Sequence, residues 1–186
     1  MPLSGKETLK VKITGNKVIL REKRLPDAWN DYTWEADSDL AQLDAVHALT
    51  IPFSSYLIDY AEGLRAPFLN SHRFAIDTRD GKHIGNCSYY HISKIKSEAE
   101  LGIMIGDRNY WNKGYGEDTV TTMVDYIFRE TKLKRIYLKT LESNTRAQKC
   151  FKKCGFVWYE KLLNDGFNFM LMETSRKHWL TKQKLT

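Results

Sequence analysis

The sequence predicts an α/β protein with one mixed β-sheet and helices on its faces. Three observations carry this prediction: a meander of three strands, a helix with a regular apolar face, and a second half in which strands and helices alternate. The chain has 186 residues, which is close to the size of one domain. Apolar residues make up 42% and charged residues 28%, which excludes a long disordered or collagen-like chain.

Short elements follow one another in the first third of the chain. Residues 17–21 predict a strand, and Pro26 in a first turn favours a helix that opens at residue 25. Residues 38–47 and 54–64 predict two further helices, the second with apolar side chains at helical spacing.

Three strands then form the predicted meander, at residues 73–77, 83–92 and 99–105. The Asp80-Gly81 pair between the first two favours a tight hairpin turn. A polar turn separates the second strand from the third, so we expect all three to pair as antiparallel neighbours.

A helix is predicted to begin near Gly116. Five apolar residues after it recur on one helix face: Val120, Met123, Val124, Ile127 and Phe128. The remaining elements are a strand at 135–140, a helix that Ser143 or Asn144 caps and that ends at Gly155, and a strand pair at 156–161 and 167–173.

Charge and cysteine content limit the ligands and the cellular location that we expect for the protein. The basic residues exceed the acidic ones by 29 − 23 = 6, a bias shared by enzymes of anionic ligands and by nucleic-acid binders. Three cysteines, without a metal-ligand spacing around them, predict neither a disulfide scaffold nor a metal site. The sequence has no run of 18 apolar residues and no apolar leader, so we expect a cytoplasmic protein without a membrane span.

We expect three segments along the chain: an N-terminal extension at 1–14, one domain at 15–175, and a basic tail at 176–186. The tail is expected to fray after Trp179.

A glycine loop before a helix is the most informative local feature. Gly114 and Gly116 let a phosphate approach the backbone closely, Lys113 adds a cation, and the helix start offers free amides. The loop lacks the Walker pattern, and Thr119 stands where a dinucleotide fingerprint needs a glycine. Residues 113–116 also match the start of an RNA-recognition strand. That strand would continue with an aromatic residue and a valine, whereas this sequence has Glu117 and Asp118.

Three segments in register resemble the GCN5-related N-acetyltransferase (GNAT) superfamily, in particular its ribosomal-protein alanine N-acetyltransferase (RimJ/RimL)-like branch. Residues 99–105 resemble the family's fourth strand, and 110–117 resemble its pyrophosphate loop. Residues 144–147 with 151–156 resemble its helix-four signature. The resemblance covers about residues 15–175.

The resemblance implies a single-domain GNAT acyl-CoA N-acyltransferase fold, with a mixed, mostly antiparallel sheet of about seven strands. It implies an N-acetyltransferase that moves an acetyl group from acetyl-CoA, its co-substrate, to a primary amine by direct attack in a ternary complex. The amine belongs to a protein N-terminus or to a small molecule. The implied partners are thus acetyl-CoA and an amine, with no nucleic acid and no metal, and the family allows a homodimer.

The resemblance also implies which residues bind the cofactor. The loop amides cradle the pyrophosphate, and the pantetheine arm lies along a strand that is splayed from its neighbour. The corresponding residues are Ile103, Met104 and Ile105 on the strand, Trp111, Asn112, Lys113, Gly114, Tyr115, Gly116 and Glu117 in the loop, and Asn144, Ala147 and Phe151 on the next helix.

The catalytic groups are less determined. Phe151 stands where many relatives have a tyrosine that protonates the leaving thiolate, so no general acid is assigned. Glu100, just before the splayed segment, is the first candidate for the proton acceptor, and Glu98, Asp107 or an ordered water are its rivals. Glu117 and Asp118 suit the first turn of a helix, and their side chains are expected to point to solvent.

Two other functions stay open at this point. A sequence pI near 9.1 and residues 113–116 are compatible with an RNA-binding module. The missing tyrosine at Phe151 is compatible with a domain that binds acyl-CoA without turning it over. Two clusters have a functional and a structural interpretation. The lysines Lys149, Lys152 and Lys153 either contact a CoA phosphate or form a solvated helix face. The second cluster either shapes the acceptor site or packs in the core; it consists of Trp29, Tyr32, Trp34, Tyr56 and Tyr60.

Overall fold

A computed structural model describes residues 11–66 and 70–184. Its strands are β1 (Lys12–Thr14), β2 (Val18–Glu22), β3 (Ser71–Thr78), β4 (His83–Ser93), β5 (Glu98–Ile105), β6 (Arg135–Leu141), β7 (Val157–Asn164) and β8 (Phe167–Ser175). Its α-helices are α1 (Ala28–Glu35), α2 (Ser38–Leu43), α3 (Phe53–Arg65), α4 (Tyr115–Glu130), α5 (Thr145–Lys153) and α6 (Arg176–Gln183).

The strands form one sheet in the order β1-β2-β3-β4-β5-β6-β8-β7. Among the described strands, only the β5–β6 pair is parallel, so the predicted mixed, mostly antiparallel sheet is confirmed. The sheet has one strand more than expected, because β1 pairs with β2 from Lys12 opposite Arg21. Residues 1–10 of the expected N-terminal extension lie outside the described residues, and the domain boundaries stay predictions.

The predicted hairpin turn joins β3 to β4. Gly81 has a φ of +90°, a conformation that glycine adopts without a steric penalty. The amide of Thr78 donates a hydrogen bond to the Lys82 carbonyl at 2.8 Å and closes the turn. The three meander strands therefore pair in the predicted order.

The apolar face of α4 supplies the centre of the core. All five residues of the predicted face are at most 5% exposed: Val120, Met123, Val124, Ile127 and Phe128. Each such side chain stabilises the fold by roughly 1.5–3 kcal/mol relative to an exposed position. The same core contains Ile136 of β6 and Ile84 of β4, so it fixes α4 against the sheet.

Asp118 does not point to solvent, which corrects the expectation from the sequence. Its carboxylate accepts hydrogen bonds from the backbone amides of Asn16, Lys17 and Val18 at 3.1, 2.7 and 3.0 Å. A Cβ atom on Gly15 would lie 2.6 Å from the same carboxylate, so this close approach requires glycine. The turn between β1 and β2 is thereby fixed to the first turn of α4.

The expectation of fraying after Trp179 is wrong, because α6 continues to Gln183. Ser175 caps this helix by accepting a hydrogen bond from the amide of His178. The Trp179 ring packs 5.7 Å from the ring of Phe128, and its indole N–H donates to Asp125. Tertiary contact therefore orders a segment with little apolar character of its own; residues 185 and 186 lie outside the described residues.

The sheet opens between β5 and β6. The two strands pair at three positions only: Glu98 with Arg135, Ala99 with Ile136, and Glu100 with Tyr137. Beyond Glu100, β5 continues to Ile105, and no described strand pairs with it on this side, while its other edge stays paired with β4. The result is a wedge-shaped gap beside residues 101–105, where the resemblance places the splayed strand.

Candidate active site

A cavity of about 470 Å³ lies beside the free edge of β5. Eleven of the thirteen residues predicted for the cofactor line it: Ile103, Met104, Ile105, Trp111, Asn112, Gly114, Gly116, Glu117, Asn144, Ala147 and Phe151. The other two, Lys113 and Tyr115, lie outside its lining. The Lys113 carbonyl accepts a hydrogen bond from Lys17, and the Tyr115 ring packs edge-on against Tyr110.

The glycine loop presents free amides at the mouth of this cavity. Asn112 and Gly114 have φ values of +58° and +82°, and α4 begins directly afterwards. Outside the helices and strands, the backbone hydrogen bonds of the described residues include none donated by an amide of residues 112–117. A Cβ atom on Gly116 would lie 3.6 Å from Cys150 Sγ and 4.0 Å from Ile105 Cγ1, so its absence keeps the cavity open. Amides at a helix start with open space before them fit a diphosphate.

Trp111 joins the loop to the end of β5. Its indole N–H donates to the Ile105 carbonyl at 2.6 Å. The guanidinium carbon of Arg146 lies 3.4 Å from the centre of a Trp111 ring, and that of Arg108 lies 5.7 Å away. The indole is therefore fixed by a hydrogen bond at its edge and by cations at its face.

Cationic side chains from α5 add positive charge to the cavity. Arg146, Lys149 and Lys153 line it, whereas Lys152 does not. Lys153 lies 3.4 Å from the carboxylate of Glu117. These positions suit a ligand with several phosphates.

The start of α5 is capped as the sequence predicts. Asn144 Oδ1 accepts a hydrogen bond from the Ala147 amide at 3.1 Å. The side-chain oxygen of Asn144, which was expected to contact the cofactor, is thus engaged in capping the helix. Phe151 lies one helical turn further on, is 6% exposed and packs against Phe156. Tyr110, which lies just before the loop, is the tyrosine that lines the cavity in the described part of the chain.

None of the three carboxylates predicted as proton acceptors lines this cavity. Glu100 is buried, accepts a hydrogen bond from the Tyr90 hydroxyl at 3.0 Å and lies 3.0 Å from His91 Nδ1. Of its rivals, Glu98 pairs with an arginine of β6 at 2.6 Å, and Asp107 pairs with a lysine of the β3–β4 turn at 2.8 Å. The role of Glu100 stays a prediction.

A second cavity, of about 530 Å³, adjoins the first. It is lined from α1, α2, α3, β3, β4 and β5, and its aromatic walls are Trp34, Tyr56, Tyr60, Phe74 and Tyr90. Two of the aromatics expected near an acceptor site, Trp29 and Tyr32, instead pack against Phe53 at 4.9 and 5.2 Å between ring centres.

Carboxylates are prominent in the second cavity. Asp31 is buried, pairs with Lys23 and accepts a hydrogen bond from the Asn86 amide at 2.7 Å. Glu35 accepts a hydrogen bond from the Tyr56 hydroxyl at 2.9 Å. Burial raises the pKa of Glu35, and the Tyr56 hydrogen bond opposes this effect in part.

The two cavities share four lining residues: Leu40, Asp44, Ile103 and Met104. Met104 lies on the unpaired segment of β5, and Leu40 and Asp44 come from the α2 region. Sequence reasoning missed the α2 residues, because their contribution depends on where the helix packs. It also missed Cys150, although the spacing from Ala147 to Cys150 and Phe151 would have placed Cys150 on the same face of α5.

Three further expectations can be compared with the described part of the chain. No group of three His, Cys, Asp or Glu side chains there is arranged to bind a metal ion. No helix there is both long and apolar enough to cross a membrane. Residues 113–116 form a loop and a helix start rather than a strand, so they do not form the stacking platform of an RNA-recognition strand.

Known proteins share this fold and parts of this sequence. A family described as the acetyltransferase (GNAT) domain matches residues 18–157. The uncharacterised N-acetyltransferase p20 of Bacillus licheniformis is 33% identical over 96 residues, which cover 51% of this chain and 53% of that protein. The spermidine N(1)-acetyltransferase of Vibrio cholerae is 28% identical over 95 residues, which cover 51% of this chain and 54% of that protein. The match thus spans about half the length of each of these two relatives.

Two solved structures show the same architecture over nearly their whole length. Spermidine N-acetyltransferase from Vibrio cholerae, solved with CoA and spermine, has a TM-score of 0.77 at 20% identity and covers 88% of this chain and 98% of its own. The aminoglycoside acetyltransferase AAC(6')-Ib, solved with coenzyme A, has a TM-score of 0.74 at 17% identity. The match covers 89% of this chain and 99% of that protein. The fold is therefore that of GNAT acetyltransferases. The chain belongs to the GNAT family, a family of acetyl-CoA-dependent acyltransferases.

Proposed function

We propose that this protein is an N-acetyltransferase that moves an acetyl group from acetyl-CoA to a primary amine by direct attack in a ternary complex. One observation carries the proposal: two cavities meet at the unpaired segment of β5, at Ile103 and Met104. Two substrates bound in adjacent cavities can react without a covalent enzyme intermediate, because their reactive groups reach the same place.

The first cavity is the proposed site of acetyl-CoA. The amides of residues 112–117 bind the diphosphate, and Arg146, Lys149 and Lys153 supply positive charge near it. The free edge of β5 orients the pantetheine arm. Acetyl-CoA supplies the activated acetyl group, and an edge amide near Met104 stabilises negative charge on its carbonyl oxygen.

The second cavity is the proposed acceptor site. Lys23 neutralises Asp31, so the carboxylates of Glu35 and Asp44 are those that favour a cationic amine. The aromatic walls at Tyr56 and Tyr60 suit the aliphatic part of such a substrate. Spermine and kanamycin, with which two structural neighbours were solved, are amines of this general kind.

The finer assignments are part of the same proposal. A protein N-terminus, the acceptor in the RimJ/RimL-like branch, and a small polyamine or amino sugar both present a primary amine. We also keep the cytoplasmic location and the homodimer as proposals.

Release of the free CoA thiol from acetyl-CoA tests the function. Spermidine, kanamycin and an alanine-terminated peptide are the acceptors, and the control is Gly116→Glu, whose side chain occupies the cradle beside Cys150. We expect amine-dependent thiol release with at least one acceptor and none from the control variant. CoA binding without thiol release would support a non-catalytic acyl-CoA-binding domain. Salt-sensitive RNA binding without CoA binding would support the RNA-binding module.

A further inference from the structure

We propose that Asp44, directly after α2, is the catalytic residue that takes the proton lost by the acceptor amine. This assignment rests on the proposed function. It differs from the assignment of Glu100 that the sequence predicts.

The position of Asp44 is the first argument. Only four residues line both cavities in the described part of the chain, and of these Leu40, Ile103 and Met104 have no ionisable group. Asp44 is therefore the one carboxylate at the junction where an amine in one cavity meets a thioester in the other. Glu100 lines neither cavity and reaches the acceptor side only through the Tyr90 hydroxyl.

The second argument is that the Asp44 carboxylate is available. It makes no hydrogen bond or ion pair with another residue in the ranges 11–66 and 70–184. The other carboxylates nearby are engaged: Asp31 by Lys23, Glu35 by Tyr56, and Glu100 by Tyr90. A carboxylate with free lone pairs can accept a proton without first breaking a protein contact.

The backbone after α2 fixes where Asp44 lies. The amides of Ala45 and Val46 donate to the carbonyls of Gln42 and Ala41, which is the Schellman arrangement at a helix end. This places Ala45 at a φ of +56°, a region that glycine normally occupies. A strained residue beside a cavity junction is a common feature of functional sites.

The charges around Asp44 suit a proton acceptor. The side chain of Asp44 is exposed at the cavity junction. The protein around it still raises its pKa by partial desolvation, Lys139 of β6 opposes this, and Glu35 of α1 adds to it. Tyr90 of β4 also faces Asp44, and the carboxylate disfavours ionisation of that phenol. A carboxylate whose pKa is raised is a stronger base than an ordinary aspartate.

The proton balance of the step is complete. The acceptor arrives as an ammonium ion, and Asp44 removes one proton to give the neutral amine. The amine nitrogen attacks the thioester carbonyl carbon, the carbon–sulfur bond breaks, and the electron pair leaves with the CoA sulfur. The second nitrogen proton ends on that sulfur, directly or through water, and the amide keeps the third. Asp44 then releases its proton through the open cavity.

The test compares Asp44→Asn with Asp39→Asn, the same change on an exposed residue of α2 that lines neither cavity. The substrate is the amine with the fastest thiol release in the screen above, and CoA affinity is measured by calorimetry. We expect Asp44→Asn to lower kcat by at least ~100-fold. The KM for acetyl-CoA and the affinity for CoA should change by less than about threefold, since the diphosphate contacts remain. Asp39→Asn should behave as the wild type.

The pH dependence of kcat, together with the variant Glu100→Gln, distinguishes a proton-accepting role of Asp44 from a structural role. We expect the fall of kcat toward acid in the wild type to disappear in Asp44→Asn, and Asp44→Glu to restore part of the rate. The inference is overturned if Asp44→Asn retains more than a third of kcat, or if the acid limb disappears in Glu100→Gln instead. Wild-type protein that binds CoA but releases no thiol with any amine would overturn the proposed function and this inference together.

Discussion

The indole N–H of Trp111 donates a hydrogen bond to the carbonyl of Ile105 at 2.6 Å. Trp111 belongs to the glycine loop, and Ile105 is the last residue of β5. This contact therefore joins the amides that face the proposed diphosphate to the strand edge that faces the pantetheine arm. The two halves of the proposed cofactor site are fixed relative to one another before any ligand binds, which lowers the entropic cost of binding.

Trp111→Phe tests this coupling. The phenyl ring keeps the stack with Arg146 but leaves the Ile105 carbonyl without its donor. We expect the dissociation constant for CoA to rise about 5- to 10-fold, which corresponds to a net hydrogen bond of ~1 kcal/mol. Calorimetry measures the affinity, and Trp158→Phe, on the half-exposed edge of the sheet, is the control. An unchanged affinity in Trp111→Phe would show that the loop does not need this contact.

Gly116→Ala should separate stability from CoA binding. The added Cβ meets Cys150 and Ile105 at ordinary contact distances, so it narrows the cavity without a clash. Because alanine favours a helix over glycine by roughly 0.5–1 kcal/mol, the free energy of unfolding should rise or stay the same while the CoA affinity falls.

Gly63→Ala is the matched control for that experiment. Gly63 lies in α3 with no atom within 4 Å of an added Cβ, so this change should stabilise the protein by up to ~1 kcal/mol. CoA affinity should not change. Equal CoA affinities in both alanine variants and the wild type would contradict the place of Gly116 in the site.

Ala45→Gly should stabilise the protein, against the usual effect of glycine. Ala45 has a φ of +56°, where an alanine costs roughly 1 kcal/mol and a glycine costs little. We therefore expect the free energy of unfolding to rise by up to ~1 kcal/mol in urea denaturation. Ala61→Gly, inside α3, should lower it by about the same amount. A loss of stability in Ala45→Gly would mean that the Schellman arrangement after α2 is not formed.

A buried ion-pair network gives the stability of the fold a defined pH dependence. Arg21 makes two hydrogen bonds to Asp27, at 2.7 and 2.8 Å, and two to Asp77. Burial alone would raise the pKa of Asp27, but the hydrogen bonds from Arg21 and the Arg24 amide outweigh this and lower it below its usual value. A lowered carboxyl pKa contributes stability above the unfolded-state pKa near 4, and the contribution is lost as the pH falls through the folded-state pKa.

Asp27→Asn should therefore destabilise the protein by roughly 1–3 kcal/mol at pH 7, since Arg21 loses one of its two carboxylate partners and keeps Asp77. The difference from the wild type should shrink as the pH is lowered below about 4. Urea denaturation at pH 7, 5 and 3 measures both effects. A difference that is constant over this range would contradict the lowered pKa of Asp27.

Much of the fold could be predicted because its signals are local. The Asp80-Gly81 turn defines a hairpin, and the apolar face from Val120 to Phe128 defines a helix within a short window. β1 was missed because a strand of three residues has too short a pattern to detect. α6 was missed because it has no regular apolar face, and its order depends on one docked side chain, Trp179.

Of the two cavities of the candidate site, the sequence could predict one and not the other. The cofactor cavity could be predicted because its residues fall into three short segments that resemble a known family. The acceptor cavity could not, because its lining is spread from Lys23 to Met104 over six elements. Likewise, the contact of Asp118 with Lys17 joins residues 101 positions apart, so its local sequence indicated only a solvated first turn.

The central claim is that the amides before α4 bind a diphosphate and thereby direct a thioester into the gap beside Met104. Calorimetric titration with CoA and with pantetheine, which lacks the diphosphate, tests it most directly. The account predicts one CoA site with micromolar affinity, and pantetheine binding at least about 100-fold weaker, because charge-assisted hydrogen bonds to the phosphates are lost. Equal affinities for the two ligands, or no CoA binding at millimolar concentration, would contradict it.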